Sequence, residues 1–308
     1  MDNLTHSLIG AVLGQAGLKR KTGLAMPALI LAANLPDIDA PCALYGIESL
    51  AMRRGLSHGP LALLILPPLL ALALAWFDRW QARRGKRPEA RLAVHFGWLV
   101  ALCYIGALTH PAFDWLNNYG IRLLEPFSHQ WFYGDALFII DPWIIAMLGA
   151  GVWVSLRRER RDVAKWMRPA RIAIGGVLAY VALNLTISNA AETMVEGDAP
   201  YPQVAVANAV PLAFWRRDVL WRDMAGSYGT IPCSLFTCIR YPLTVRKTRM
   251  ADQRIAEWAR HDPAAQAFLF WSRMPIAEPR DGSITLEDQQ FSSALTRGSF
   301  SVELRPKP

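Results

Sequence analysis

The chain's 308 residues leave room for two domains, and a hydrophobic content of 53% with mean hydropathy +0.17 exceeds what a soluble core needs. The formal charge of +8 would suit nucleic acid, but its placement argues otherwise. Arg79, Arg83, Arg84, Lys86, Arg87 and Arg91 crowd one short loop, and Arg157, Arg158, Arg160, Arg161, Lys165, Arg168 and Arg171 another. Each loop separates apolar runs, as cytoplasmic loops of membrane proteins do, and neither aromatic interleaving nor a nucleic-acid motif accompanies them.

Residues 1–18 begin with Asp2 and have no basic n-region, so no cleavable signal peptide is expected there. Instead His6, Gly10 and Gly14 recur at i, i+4 and i+8, with Gly17 beyond. Such a small-residue row lets helices approach closely and predicts that His6 points into a bundle. Lys19-Arg20-Lys21 ends this segment, and residues 23–35 form a second, Ala-rich apolar stretch. Both stretches are short for a full span and are expected to be half-embedded. The second ends at Asn34-Leu-Pro36-Asp37-Ile-Asp39, where Pro36 should break the helix and set two carboxylates on a turn.

An irregular connection is expected over 40–59, ending in Arg53-Arg54-Gly55-Leu56-Ser57-His58-Gly59-Pro60. Clearer spans follow at 60–77, kinked by Pro67-Pro68, and at 92–110, 142–156 and 171–188. With both arginine loops in the cytoplasm, these spans alternate in direction. His6, Asp37, Asp39, His58, His110, Asp114, His129 and Asp141 then all fall at the outer face. His95, near the inner end of its span, reads as structural, and His261 as a surface residue. His110-x3-Asp114 is spaced to put two ligands one turn apart, although Pro111 predicts a kink there.

Composition shifts near residue 190. The expected organisation is a membrane-embedded helical bundle over 1–190, a linker over 191–202, and a soluble α+β domain over 203–308 with nearly balanced charge. Residues 218–222, 283–287 and 299–304 alternate like strands, and 250–272 reads as one amphipathic helix. Cys233 and Cys238 are either a small disulfide loop or two free thiols, and the four cysteines make no zinc pattern. The fold class is therefore mainly α: a polytopic transmembrane bundle of four to six segments with a C-terminal α+β domain.

Ionisable residues gathered at one membrane face mark a site. Imidazoles and carboxylates without thiolates suit zinc, with manganese or iron as second choices, and more than four donors suit two or three ions and hydrolysis. Asp37 or Asp39 would bridge ions or act as general base. Arg53 and Arg54 would grip a phosphate or meet lipid headgroups, and Asn117 and Asn118 would orient ligands or cap the helix end. A transport role is disfavoured because ionisable residues at mid-depth are nearly absent.

The motifs also form an ordered set. Met1-Asp2-x-x-Thr5-His6 with Gly10, Asn34-Leu-Pro-Asp37-Ile-Asp39, Arg54-Gly55-x-Ser57-His58, His110-x3-Asp114 with Asn118-Tyr-Gly120, and Leu124-x-Pro126-Phe127-Ser128 follow one another. Together they resemble the YdjM-type family of membrane-bound proteins regarded as metal-dependent hydrolases, over roughly residues 1–190. That family is thought to be related to zinc-dependent phospholipase C and the fungal single-strand nucleases. The resemblance implies His6, Asp37 or Asp39, His58, His110 and Asp114 as metal ligands, with His129 as a further one. Gly59 departs from the family pattern, which often has Ser there. The expected function is hydrolysis of a phosphoester, such as a phospholipid headgroup at the outer face of the inner membrane, by one to three zinc ions. The alternative is a scaffold or regulator that keeps a structural metal and binds a protein partner through its C-terminal domain.

Overall fold

A computed structural model describes residues 1–196, 202–239, 245–280, 282–292 and 298–305. The chain divides into two compact units, Met1–Ile38 with Arg54–Leu183, and Asp39–Arg53 with Asn184–Pro308.

The first unit is helical: α1 (Asn3–Gln15), α2 (Ala25–Ala33), α4 (Pro60–Arg83), α5 (Phe96–Trp115), α6 (Pro142–Glu159) and the first half of α7 (Arg168–Glu196). Asp2 caps α1 by accepting from the Thr5 backbone N–H at 3.0 Å, and Pro60 and Pro142 open α4 and α6 where no N–H is needed. The small-residue row works as its spacing predicts. A Cβ on Gly10 would lie 2.6 Å from the Leu29 carbonyl oxygen, and one on Gly106 would lie 2.7 Å from the same oxygen. Helix α2 is thus gripped between α1 and α5 at glycines. The core around it is Ala28, Leu29 and Ala32 of α2, Ala71 and Leu74 of α4, and Leu99, Leu102 and Cys103 of α5.

Three described helices are long and apolar enough to cross a membrane: α4, α5 and α7. Four to six segments were expected, and the shortfall has a physical cause. Helix α6 has 18 residues, of which Arg157, Arg158 and Glu159 close the last turn. Helices α1 and α2 have 13 and 9 residues, well short of the ~20 that a bilayer core needs. The outward faces of the long helices are apolar, with Leu64, Leu69, Leu72 and Trp76 on α4 and Ile172, Leu178 and Leu183 on α7 exposed. Pro67 and Pro68 lie inside α4, and α5 continues to Trp115 through Pro111. The helix forgoes one N–H at Pro111 and is not interrupted there.

At one end of this unit the basic segments converge. Lys19 pairs with Glu159 and lies over Trp166, Lys21 lies over Trp98, and the Arg171 guanidinium donates to the Ala16 carbonyl at 3.0 Å. Arg87 and Arg91 close on Asp78 at 3.1 and 2.9 Å, tying down the loop after α4. His95 caps α5 with an exposed side chain, and its backbone N–H donates to Thr22 Oγ1 at 2.7 Å.

The connection expected to be irregular is a 3-10 helix over Leu35–Glu48, assigned to the second unit from Asp39 on, followed by α3 (Ser49–Met52). Pro36 ends α2 but its fixed φ suits the tighter turn. Helix α7 continues to Glu196, so the linker expected over 191–202 begins in helix, and 197–201 lie outside the described residues. Two antiparallel sheets follow. One comprises β1 (Pro202–Ala209), β2 (Arg216–Asp223), β3 (Ser227–Ser234), β4 (Thr237–Cys238) and β5 (Arg246–Lys247), in order β1-β2-β3-β4 with β5 also on β3. The other, in order β6-β7-β8, holds β6 (Pro275–Arg280), β7 (Ser283–Asp288) and β8 (Ser301–Leu304). Ala191 and Val195 of α7 pack on Ala207, Val219 and Ile231 of the first sheet. Arg217, 1% exposed, donates to Ser188 Oγ and to Asn184 Oδ1 at 2.7 and 2.8 Å. The single helix expected over 250–272 is two, α8 (Gln253–Ala259) and α9 (Pro263–Trp271), because Asp262 caps and Pro263 starts a new one. Cys233 and Cys238, opposite each other on β3 and β4, form a disulfide.

Candidate metal centre

The site lies at the opposite end of the first unit from the basic segments. His6 comes from the second turn of α1, Asp37 from the turn after α2, His58 from just before α4, and His110 and Asp114 from the last turns of α5. His6, His58, His110 and Asp114 are each 0% exposed. They resolve into two groups able to hold a metal ion, His6–His110–Asp114 and Asp37–His58–His110, so that His110 is shared.

The distances are short for groups that would otherwise repel. His110 Nε2 is 3.2 Å from His58 Nε2, 3.6 Å from Asp37 Oδ1 and 3.6 Å from Asp114 Oδ2. His6 Nε2 lies 3.3 Å from Asp114 Oδ1, and its ring stacks on His110 with centroids 3.8 Å apart. His110 Nδ1 sits 2.7 Å from the Ala33 carbonyl oxygen. That oxygen can only accept, so Nδ1 carries a proton and Nε2 is the ring nitrogen that faces the cluster. His58 Nδ1 is 2.9 Å from Ser57 Oγ, a hydroxyl that can donate or accept and that orients the ring with Nε2 toward the cluster. Two Nε2 atoms at this separation need either a proton or a cation between them.

The donor set fits a cation. His6 is buried with neither ring nitrogen hydrogen-bonded, which costs free energy unless something else takes a lone pair. Carboxylates and imidazoles converge with no thiol among them, a set suited to zinc and its first-row neighbours.

Several groups hold Asp114 in place. Arg54, 6% exposed and at φ 54°, puts its Nε 3.1 Å from Asp114 Oδ2. The same guanidinium donates to Asn117 Oδ1 at 3.0 Å and the Gly120 carbonyl at 3.2 Å, and it lies 4.5 Å over the Tyr119 ring. The buried Met1 amine also donates to Asp114. Burial pushes that amine down to about 6, with Asp114 acting to raise it and Arg54 to lower it further. Burial acts to raise the Asp37 carboxyl, yet hydrogen bonding and charge from His110, with help from His58, hold it below the ordinary carboxylate range.

A family model described as "YdjM inner membrane protein" matches residues 1–191. The chain belongs to that family. Its matched region contains every residue of the cluster, and the three membrane-capable helices agree with the membrane location that the family's description gives. No curated protein and no solved structure matches the chain, so the likeness to phospholipase C and the nucleases stays an expectation.

Of the residues singled out from sequence, the structure brings His6, Asp37, His58, His110 and Asp114 together. Asp39 and Arg53 fall in the second compact unit. His129 is not in either group: its side chain is 68% exposed, and Nδ1 lies 3.0 Å from Glu125 Oε1. Asn117 takes Arg54 and the Tyr119 N–H on one oxygen, a positioning arrangement within the chain. Asp141 caps α6 through the Trp143 and Ile144 N–H groups and accepts from the Tyr180 hydroxyl at 3.0 Å. Gly59 gains a reason as well. A Cβ there would sit 2.0 Å from the Glu125 carbonyl oxygen, so this backbone has no room for a side chain at the position. Sequence reading missed the Ala33 carbonyl and the Met1 amine, since a backbone acceptor or terminal amine leaves no side-chain signature.

Proposed function

We propose that this chain is a membrane-bound, metal-dependent hydrolase of phosphoesters, acting on lipid headgroups at the outer face of the inner membrane. The observation that carries the reading is the pair of His/Asp groups joined at His110 Nε2. A divalent cation held there, zinc first and manganese or iron next, would acidify a water and offset the charge that builds on a phosphoryl group. His110 and His58 present Nε2, each aimed by a partner on Nδ1. Arg54 holds Asp114 in place. Asp37, with its side chain 7% exposed, is the least enclosed of the five, so the proton of the attacking water would pass to it. By the positive-inside rule the arginine-rich end would face the cytoplasm, and the cluster at the other end would face the periplasm. A disulfide in the second unit agrees with an oxidising compartment for that unit.

The near-complete enclosure of the donors also favours the second reading, a scaffold with a structural metal whose C-terminal domain binds a protein. The full chain, purified in detergent, separates the two. Release of phosphate-containing headgroup from phosphatidylglycerol or a generic phosphodiester, lost in Asp37→Asn with metal retained, supports the hydrolase. Bound metal without turnover of either substrate supports the scaffold.

A further inference from the structure

A groove of about 530 Å³ runs between α6 and α7, far from the metal cluster and unused by the proposed chemistry. Its walls are Met147, Ala150 and Val154 on one side and Ile172, Ala173 and Gly176 on the other. The helices touch where Gly151 faces Ala173: a Cβ on Gly151 would lie 2.4 Å from that of Ala173. Small residues therefore bring the helices together and leave a furrow beside the contact.

The groove is chemically one-sided. Arg158, from the end of α6, and Arg168, from the start of α7, stand together at one end, and everything beyond them is apolar. Neither arginine has an ion-pair partner among the described residues, while Glu159 next door is taken by Lys19. No carboxylate lines the groove. From the arginines the walls extend about 12–16 Å along the helices at 1.5 Å per residue.

We propose that this groove binds an anionic phospholipid, with the headgroup phosphate between Arg158 and Arg168 and one acyl chain along the apolar walls. Guanidinium pairs grip a phosphate bidentately, and basic pockets between membrane helices at the cytoplasmic side suit anionic headgroups. A zwitterionic phosphatidylethanolamine brings an ammonium that finds no acidic partner here, so the groove discriminates by net charge. The lipid would wedge between α6 and α7 where side-chain packing between them is incomplete.

Native mass spectrometry of the full chain in detergent, titrated with phosphatidylglycerol or phosphatidylethanolamine, tests this. The expected result is retention of one phosphatidylglycerol in preference to phosphatidylethanolamine. Arg158→Gln with Arg168→Gln should weaken retention about tenfold or more. Gly176→Leu should also abolish it by filling the groove; a Cβ there meets only Met147 Sδ, at 3.6 Å, an ordinary contact, and an unchanged unfolding midpoint checks that the fold is kept. Arg79→Gln with Arg83→Gln, an equal charge loss on exposed residues elsewhere, should leave retention unchanged. Equal retention of both lipids, or undiminished phosphatidylglycerol in Gly176→Leu, overturns the proposal even if the arginine variant fails to fold.

Discussion

Arg54 separates two ways of reading this chain. From sequence it is a phosphate grip; in the fold its guanidinium is the internal counter-charge of Asp114. Arg54→Ala would strip a buried carboxylate of that partner, which costs about 3–5 kcal/mol for a buried pair. It would also leave Asn117 Oδ1 and the Gly120 carbonyl short of a donor, and remove a stacking contact on Tyr119 worth up to about 2 kcal/mol. These terms overlap, so the expected total stays near about 4 kcal/mol. The backbone at φ 54° adds a second handle. A left-handed residue with a Cβ is strained by about 1–2 kcal/mol, so Arg54→Gly should be less damaging than Arg54→Ala by about that amount. Arg54→Lys should fall between Ala and the parent, because it keeps charge but loses the fork. Unfolding in mixed detergent, followed by tryptophan fluorescence, gives the ranking. An Arg54→Ala protein within about 1 kcal/mol of the parent, or one more stable than Arg54→Gly, would refute this placement.

Two further outcomes follow from the packing and electrostatics. Gly59→Ser should destabilise this chain and shift the turn at Glu125, because the Cβ meets a carbonyl oxygen and not a yielding side chain; equal unfolding midpoints would contradict that. In the second unit, burial raises the Asp288 carboxyl, although the Ser272 hydroxyl and the Gln290 and Met274 N–H groups lower it in part. A raised folded-state value gives stability that is fully present at low pH and lost as pH rises through that value. Stability of this unit, read by near-ultraviolet circular dichroism of its Trp271 cluster, should therefore fall with rising pH from the ordinary Asp value upward, and Asp288→Asn should flatten that slope. A slope unchanged in Asp288→Asn would show that another group carries it.

Periodicity and charge placement made the helical unit legible. The His6–Gly10–Gly14 row, the positions of α4, α5 and α7, and the gathering of basic residues at one end all rest on local patterns that a bilayer enforces. The cluster was legible for the same reason: five of its proposed donors end apolar runs or sit on turns between them. Where sequence gave less, the deciding contact was long-range or backbone-borne. Nothing local distinguishes His129, which turns to Glu125, from His58, which turns inward. Nothing near Asn117 announces that its oxygen will be used by Arg54, more than sixty residues away. The strands β3 and β6 escaped because Gly229, Pro232, Pro275 and Pro279 interrupt their alternation, and pairing with neighbours overrides the local preference. Helix α7 ran past its expected end because Ala191 and Val195 find a sheet to pack against.

Metal content measured by inductively coupled plasma mass spectrometry on the purified full chain tests the central claim most directly. The parent should hold at least one equivalent of a transition metal, His110→Ala should lose it because both donor groups share that ring, and His129→Ala should keep it. A folded parent that neither carries a transition metal nor takes one up on dialysis, or a His110→Ala protein that retains the parent's content, would contradict the account.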